Sequence, residues 1–321
     1  MALSTALTDL LKIEHPVLLA PMGATSGGKL AAAVTGAGGL GLLGGGYGDE
    51  AWIEREFAAA GNARVGIGFI TWSLAQKPHL LARALERKPA AVMLSFGDVR
   101  PFARQIKDSG AKLICQVQTV AMARDAVRAG ADIVVAQGTE AGGHGAGRST
   151  FALVPAVVDA VAPVPVVAAG GVADGRGLAA ALMLGAAGVL MGTRFCATDE
   201  WLGHDNQKKM IVAESGDATA RTTVFDIVRR LDWPGEFTGR AIRNGFLNRW
   251  HGREADLGRA VDAEAQRYIE AQSGGDFDTA VVFAGEGIDM IRDVRPAADV
   301  VAGVVAEARA LLDRAAGARR P

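Results

Sequence analysis

The sequence predicts a (β/α)8 barrel, a TIM barrel, with a helical insertion after its eighth strand. Three observations lead there. Short runs of Val, Ile, Leu and Ala recur eight times between residues 16 and 191. Segments of helical period, rich in Ala, Arg and Leu, stand between most of them. After Cys196 the alternation stops for about ninety residues, too long for an ordinary loop. Buried parallel strands read as continuous apolar runs and need crossover connections. Eight such units without an evident reversal of order favour a closed barrel over the runner-up, an open doubly wound sheet.

Taken in order, residues 16–20 make a first strand that ends in Pro21-Met22-Gly23. Residues 29–35 form a small-residue helix and residues 40–43 a second strand. The third to eighth strands fall at 65–69, 91–95, 113–116, 133–136, 164–168 and 189–191. Helices at 120–128 and 177–184 are among the crossovers. Gly36-Ala37-Gly38-Gly39-Leu40-Gly41 matches the dinucleotide pattern G-x-G-x-x-G. That fingerprint works only where a strand precedes it and a helix opens after it, so that phosphate meets the helix N-terminus. The order here is reversed. These glycines therefore make a tight helix-to-strand turn, and Gly44-Gly45-Gly46 closes the strand's far end.

Within the insertion, helices are expected at 208–214, 223–231, 241–250 and 262–272, and residues 300–315 would be the closing barrel helix. The predicted division is a barrel of residues 1–196 and 290–321, with a helical substrate-lid subdomain at 197–289. Trp201, Phe225, Trp233, Phe237, Phe246 and Trp250 lie there, and such residues are more often core than substrate contacts. His204 and His251, among polar neighbours, read as surface residues. Arg240, Arg243, Arg249 and Arg253 read as a solvated helix face rather than a patch for an anionic acyl carrier.

Composition excludes several functions. Half of the 321 residues are hydrophobic and 42 are glycine, which suits one large core with many short turns. A formal charge of −1 gives no reason to expect nucleic acid or an anionic membrane as partner. Cys115 and Cys196, the only cysteines, have neither metal-site nor redox-motif spacing, and no metal is expected. Their sparsity fits a reducing compartment. No apolar run reaches membrane-spanning length. Residues 1–14 carry Asp9 and Glu14 and lack the basic-then-apolar order of a signal peptide. The expectation is a cytoplasmic protein; homo-oligomerisation is left open.

Chemistry concentrates in three places. Residues 136–148 hold five glycines, so this stretch is a loop whose backbone must lie close to something. It carries one imidazole, His144, one carboxylate, Glu140, and one amide, Gln137. Such a loop after a buried strand is where an α/β barrel keeps its active site. Val166-Val167-Ala168-Ala169-Gly170-Gly171 then runs a strand into two glycines, with Asp174 capping the next helix. Val189-Leu190-Met191-Gly192-Thr193 repeats the arrangement one unit later. In barrels the loops after strands seven and eight often present N–H groups to a phosphate.

With Gln137-Gly138-Thr139-Glu140-Ala141-Gly142-Gly143-His144, Ala168-Ala169-Gly170-Gly171-Val172-Ala173-Asp174-Gly175 and Met191-Gly192-Thr193-Arg194-Phe195 in that order, the chain resembles the nitronate monooxygenase family, formerly called 2-nitropropane dioxygenases. Ala20-Pro21-Met22 resembles the family's N-terminal flavin loop. The likeness spans roughly residues 14–200, with a weaker echo at Phe283-Ala284-Gly285-Glu286-Gly287. It implies an FMN-dependent TIM barrel that oxidises alkyl nitronates, and nitroalkanes where it can deprotonate them, with O2 to carbonyl compounds and nitrite. Small molecules, nitronate and dioxygen, are then the partners. The same signature appears in FMN-dependent enoyl-acyl-carrier-protein reductases and in NADH:quinone reductases, so an NAD(P)H-fed reductase is the alternative.

By the same resemblance His144 is the catalytic residue. A neutral imidazole would take the α-proton of a nitroalkane, and an imidazolium would hold an anionic nitronate. Gly142 and Gly143 would let the loop approach the isoalloxazine. Gly170, Gly171, Gly192 and Thr193 would hold the FMN phosphate. Ala20, Met22 and Gly23 would line the ring, with Gln137 and Ala141 also on the cofactor. Gln116 would reach a polar edge of the flavin, where some relatives place Lys. Near Gly68 several members have an Asn, a departure that leaves the flavin's tuning and the subclass open. Glu140 fixing the loop through backbone N–H groups is at least as good a reading as a chemical role.

Overall fold

Strands buried on both faces build the ring on which everything else is mounted. The computed structural model describes residues 3–317. Strands β1 (Val17–Leu19), β2 (Leu42–Gly46), β3 (Gly66–Ile70), β4 (Ala91–Ser95), β5 (Lys112–Val117) and β6 (Ile133–Gln137) follow in chain order. A three-residue strand β7 (Gly143–Gly145) lies outside the ring, and β8 (Val166–Ala169) and β9 (Gly188–Met191) complete it. The spatial order is β1-β9-β8-β6-β5-β4-β3-β2, with every pair parallel. A parallel bridge between Leu18 and Leu40 joins the two ends, with Leu19 N donating to Leu40 O at 3.0 Å. The sheet thus closes on itself as the TIM barrel the sequence predicts.

Consecutive strand residues enter two separate cores, as the pleat requires. Ile133 and Val135 join Leu18, Leu42, Met93 and Val167 in an inner cluster, whereas Val134 and Ala136 pack outward under the helices. The inner cluster also takes Leu7 and Leu11 from a helix at Ala6–Leu11, which the sequence reading did not place. All of these side chains are fully buried. At roughly 1.5–3 kcal/mol for each large apolar side chain, this double layer dominates the stabilisation.

The glycine pattern at 36–41 is a helix-to-strand connection: the helix Gly28–Gly36 precedes it and β2 follows. Gly44-Gly45-Gly46 are the last three residues of β2, at the strand's far end. A Cβ on Gly44 would lie 1.9 Å from the Met22 carbonyl oxygen, so the loop after β1 leaves no room for a side chain there.

The insertion after the eighth barrel strand contains its expected helices, at Asp205–Ala213, Val224–Val228, Gly245–Trp250 and Glu254–Gly274. It also contains two strands the sequence reading did not place, β10 (Thr219–Thr222) and β11 (Thr238–Ile242). The expected helix at 241–250 starts late because Asn244 caps it, accepting from Leu247 N at 2.8 Å, and the residues before it extend. β11 pairs antiparallel with β10 on one side and with β7 on the other, in the register Gly239↔His144. The insertion is therefore stitched to the glycine-rich loop itself. The chain returns to the barrel with the helix Ala297–Gly317. No helix among the described residues is long and apolar enough to cross a membrane.

Candidate active site

A cavity of about 340 Å³ opens at the C-terminal ends of the barrel strands, between the ring and the insertion. Every residue assigned from the sequence to catalysis or to the cofactor lines it. Ala20, Met22 and Gly23 come from the end of β1, and Gln116 and Gln137 from the ends of β5 and β6. Ala141, Gly142, Gly143 and His144 come from the glycine-rich loop. Gly170 and Gly171 follow β8, and Gly192 and Thr193 follow β9.

His144 sits in β7 and is 8% exposed. Its Nε2 lies 2.9 Å from both Oδ1 and Oδ2 of Asp226, which is 5% exposed on the helix Val224–Val228. One face of the imidazole stacks on Trp233, centroid to centroid 3.5 Å at an interplanar angle of 3°. Phe96 and Phe283 approach the same ring at 6.5 and 5.7 Å. Burial pushes the His144 pKa below its ordinary value; the Asp226 hydrogen bond pulls the other way without prevailing. A neutral imidazole facing a carboxylate carries its proton on Nε2 and donates it to Asp226. Nδ1, which makes no hydrogen bond to the protein among the described residues, is then left with its lone pair.

The loop that carries His144 is held from both sides. Gln137 Oε1 accepts from Gln116 Nε2 at 3.1 Å and from Gln118 Nε2 at 2.8 Å, while Gln137 Nε2 donates to the His144 carbonyl at 3.0 Å. From the insertion, Arg221 donates to Gly145 O and Thr139 O, and Arg240 donates to Thr139 O at 2.9 Å. Arg240 is buried in β11 and pairs with Glu286 at 2.8 Å, so it is not on a solvated helix face. Glu140 accepts from the Thr150 backbone N–H at 2.8 Å and from its hydroxyl at 2.8 Å. It fixes the loop to the helix Thr150–Val161 and does not line the cavity. Gly142 is required by packing, because a Cβ there would lie 2.6 Å from Gly285 N. At Gly143, with φ of +72°, the same position is open.

A second corner forms where β8 and β9 end. Gly170 and Gly171 have φ of +100° and +74°, a region that L side chains rarely enter. The N–H groups of Gly171, Val172 and Gly192 make no hydrogen bond to the protein among the described residues. Thr193 Oγ1 accepts from Gly285 N at 3.0 Å, which brings the stretch 283–287 to this corner, where Phe283, Gly285 and Gly287 also line the cavity. Unsatisfied N–H groups and two left-handed glycines could hold an anionic group such as a phosphate. Asp174 instead caps the helix Gly175–Met183, accepting from Arg176 N at 3.0 Å.

Sequence reasoning missed Asp226, Arg229 and Trp233, all from the insertion and all on or against the cavity. The alternation in Thr238–Ile242 was the one available signal that this segment pairs with a strand. His204 and His251 are exposed, as expected, and His204 caps the helix that follows it. The two thiols take no part in acid–base chemistry at neutral pH: burial pushes Cys115 and Cys196 each up to about 12.

The chain matches the family model described as nitronate monooxygenase over residues 4–64 and 64–307. It is 33% identical to a nitronate monooxygenase of Neurospora crassa, over 92% of this chain and 90% of that protein. It is 31% identical, over 99% of both chains, to a (3aS,4S,5R,7aS)-5-hydroxy-7a-methyl-1-oxo-octahydro-1H-indene-4-carboxyl-CoA dehydrogenase of Rhodococcus jostii. Among solved structures, FabK of Thermotoga maritima superposes with a TM-score of 0.87 at 31% identity, covering 98% of this chain and 99% of that one.

Proposed function

The chain belongs to the nitronate monooxygenase family of oxidoreductases, and on that premise we propose that it oxidises alkyl nitronates with dioxygen to carbonyl compounds and nitrite, with FMN at the barrel mouth. The observation that carries this reading is the His144–Asp226 pair at the same cavity as the Gly170–Gly171 corner. Two nitronates and one dioxygen give two carbonyls and two nitrites, which balances in atoms and charge.

The residues present fit a flavin mononucleotide. Gly170, Gly171, Gly192 and Thr193 would hold its single phosphate through N–H groups the protein leaves free. Ala20, Met22 and Gly23 would line the ring, and the open side of Gly143 leaves space for it. Gln116 has its Oε1 available, since its amide donates to Gln137. Bound there, FMN would take electrons from the substrate and hand them to dioxygen.

His144 would act as general base for neutral nitroalkanes, with Nδ1 accepting the α-proton while Asp226 holds Nε2–H. Asp226 is a positioning residue: it selects the tautomer and stabilises the imidazolium once formed. Trp233 keeps one face of the base out of water. Residues 197–289 would serve as the substrate lid, a role supported by Arg229, Trp233 and Phe283 on the cavity wall.

Anaerobic mixing tests the reading. A nitronate should bleach the yellow flavin and air should restore it; acid or heat should release FMN rather than FAD. The second reading is an NAD(P)H-fed reductase, and the similarity to a CoA-ester dehydrogenase over 99% of both chains favours it. Rapid bleaching by NADH or NADPH, with none by nitronate, would establish that reading instead.

A further inference from the structure

Arg229 is the one guanidinium on the cavity wall among the described residues. It follows the helix Val224–Val228 directly, three residues after Asp226, so the two share one helical face. Asp226 turns to His144. Arg229 places its Cζ 5.8 Å from the centroid of the Tyr47 ring and 5.9 Å from that of Phe283, the ring that also flanks His144.

Other buried or half-buried arginines here are satisfied by the protein, and Arg229 itself is half-buried. Arg194 pairs with Asp293 at 2.9 Å and Arg240 with Glu286 at 2.8 Å, while Arg221 donates to carbonyl and hydroxyl oxygens. Arg229 pairs with no carboxylate among the described residues; it lies beside the Tyr47 hydroxyl, and its Nη1 is buried without a hydrogen-bond partner. A guanidinium cannot shed its charge, so an unmet buried N–H is a standing cost that a ligand anion would relieve. The rings of Tyr47, Phe283 and Trp233 lower the local dielectric and strengthen such a contact.

We propose that Arg229 is the anion subsite of this cavity, its fork of N–H donors taking the two oxygens of a planar O–X–O⁻ group. Under the nitronate reading, on which the identity of the anion rests, these are the oxygens of the nitronate. Two roles that a single histidine would otherwise share are thereby divided. Arg229 holds the charge and His144, kept neutral by burial, handles the proton. Bidentate, charge-assisted geometry also sets specificity for an anionic substrate over a neutral isostere.

The probe is propanoate, which has the heavy-atom shape of ethyl nitronate and does not react. Calorimetric titration of the flavin-loaded protein should show propanoate binding and propanamide binding far more weakly. Arg229→Gln should weaken propanoate and raise the KM for ethyl nitronate by about tenfold or more, the loss of one charge-assisted contact. Flavin content should not change. Phenylglyoxal should label Arg229 in the wild-type protein, and propanoate, but not propanamide, should protect it; this readout needs no variant to fold. Equal binding of propanoate and propanamide, an unweakened Gln variant, or absence of protection each overturns the subsite. If the wild type binds propanoate through Arg229 but leaves ethyl nitronate untouched, the subsite stands and the nitronate reading falls.

Discussion

Nε2 of His144 lies 2.9 Å from both carboxylate oxygens of Asp226, a residue 82 positions further along the chain. The two meet because β11 of the insertion pairs with β7, the strand that carries His144, and the helix Val224–Val228 lies just before β11. A barrel loop and its insertion are thus one chemical unit, and the proton inventory of His144 is set from outside the barrel.

Asp226→Asn tests that dependence. An Asn amide can donate to Nε2, which would place the imidazole proton on Nδ1 and abolish the base. Oxygen-consumption assays should show turnover of nitroethane falling by roughly 10² to 10⁴, with preformed ethyl nitronate much less affected. The residual activity should also have its acid limb at lower pH, because the imidazolium loses its carboxylate partner. Equal losses on both substrates, with the acid limb unmoved, would mean that Asp226 only holds the fold.

Burial sets the direction of the pH dependence in the wild type. With its pKa below the ordinary 6.5, His144 is unprotonated at neutral pH, so nitroethane turnover should hold a plateau there and fall only at a midpoint below 6.5. Stability follows the same sign. Above pH 6.5 both folded and unfolded chains carry a neutral imidazole and the contribution is complete. As pH falls from there through the folded pKa, the unfolded chain takes up the proton more readily and stability is lost. Denaturant unfolding of wild type and His144→Gln should converge on acidification; parallel pH profiles would contradict the assignment.

Gly171→Asp probes the phosphate corner. A Cβ there would sit 3.3 Å from Glu140 Cβ, and φ of +74° strains any side chain. Backbone strain costs roughly 1–3 kcal/mol, so Gly171→Ala serves as the control for strain alone. Flavin absorbance per protein should collapse in the Asp variant, which adds a charge at the anion site, and persist in large part in the Ala variant. Full flavin in both would place the phosphate elsewhere.

How much of this was legible in the sequence follows from what holds each part. β6 announces itself because Ile133, Val134 and Val135 are β-branched or apolar on both faces, and His144 stands out as an imidazole among glycines. β7 could not announce itself. Gly143-His144-Gly145 has no strand propensity and forms only because Arg221, Arg240 and β11 hold it. Asp226, Arg229 and Trp233 carry no local signature at all: their five-residue helix and the irregular stretch after it take their positions from tertiary pairing. Gln118 was passed over beside Gln116, although both donate to Gln137.

Trp233→Ala separates the two forces acting on His144. The indole stacks on the imidazole and its Nε1 donates to the Tyr47 hydroxyl at 3.0 Å, so its removal admits water to the base while leaving Asp226 in place. Relieved of desolvation, the His144 pKa should rise toward its ordinary value, and the acid limb for nitroethane should move up in pH. This is opposite to the shift expected for Asp226→Asn. Thermal unfolding should show a loss of about 2 kcal/mol, below the 3–5 of a fully buried Trp, because this ring is partly exposed. Acid limbs that move in opposite directions in the two variants require burial and the carboxylate to act on the same proton. If both variants shift the limb the same way, or neither does, the titration belongs to another group and His144 is not the base.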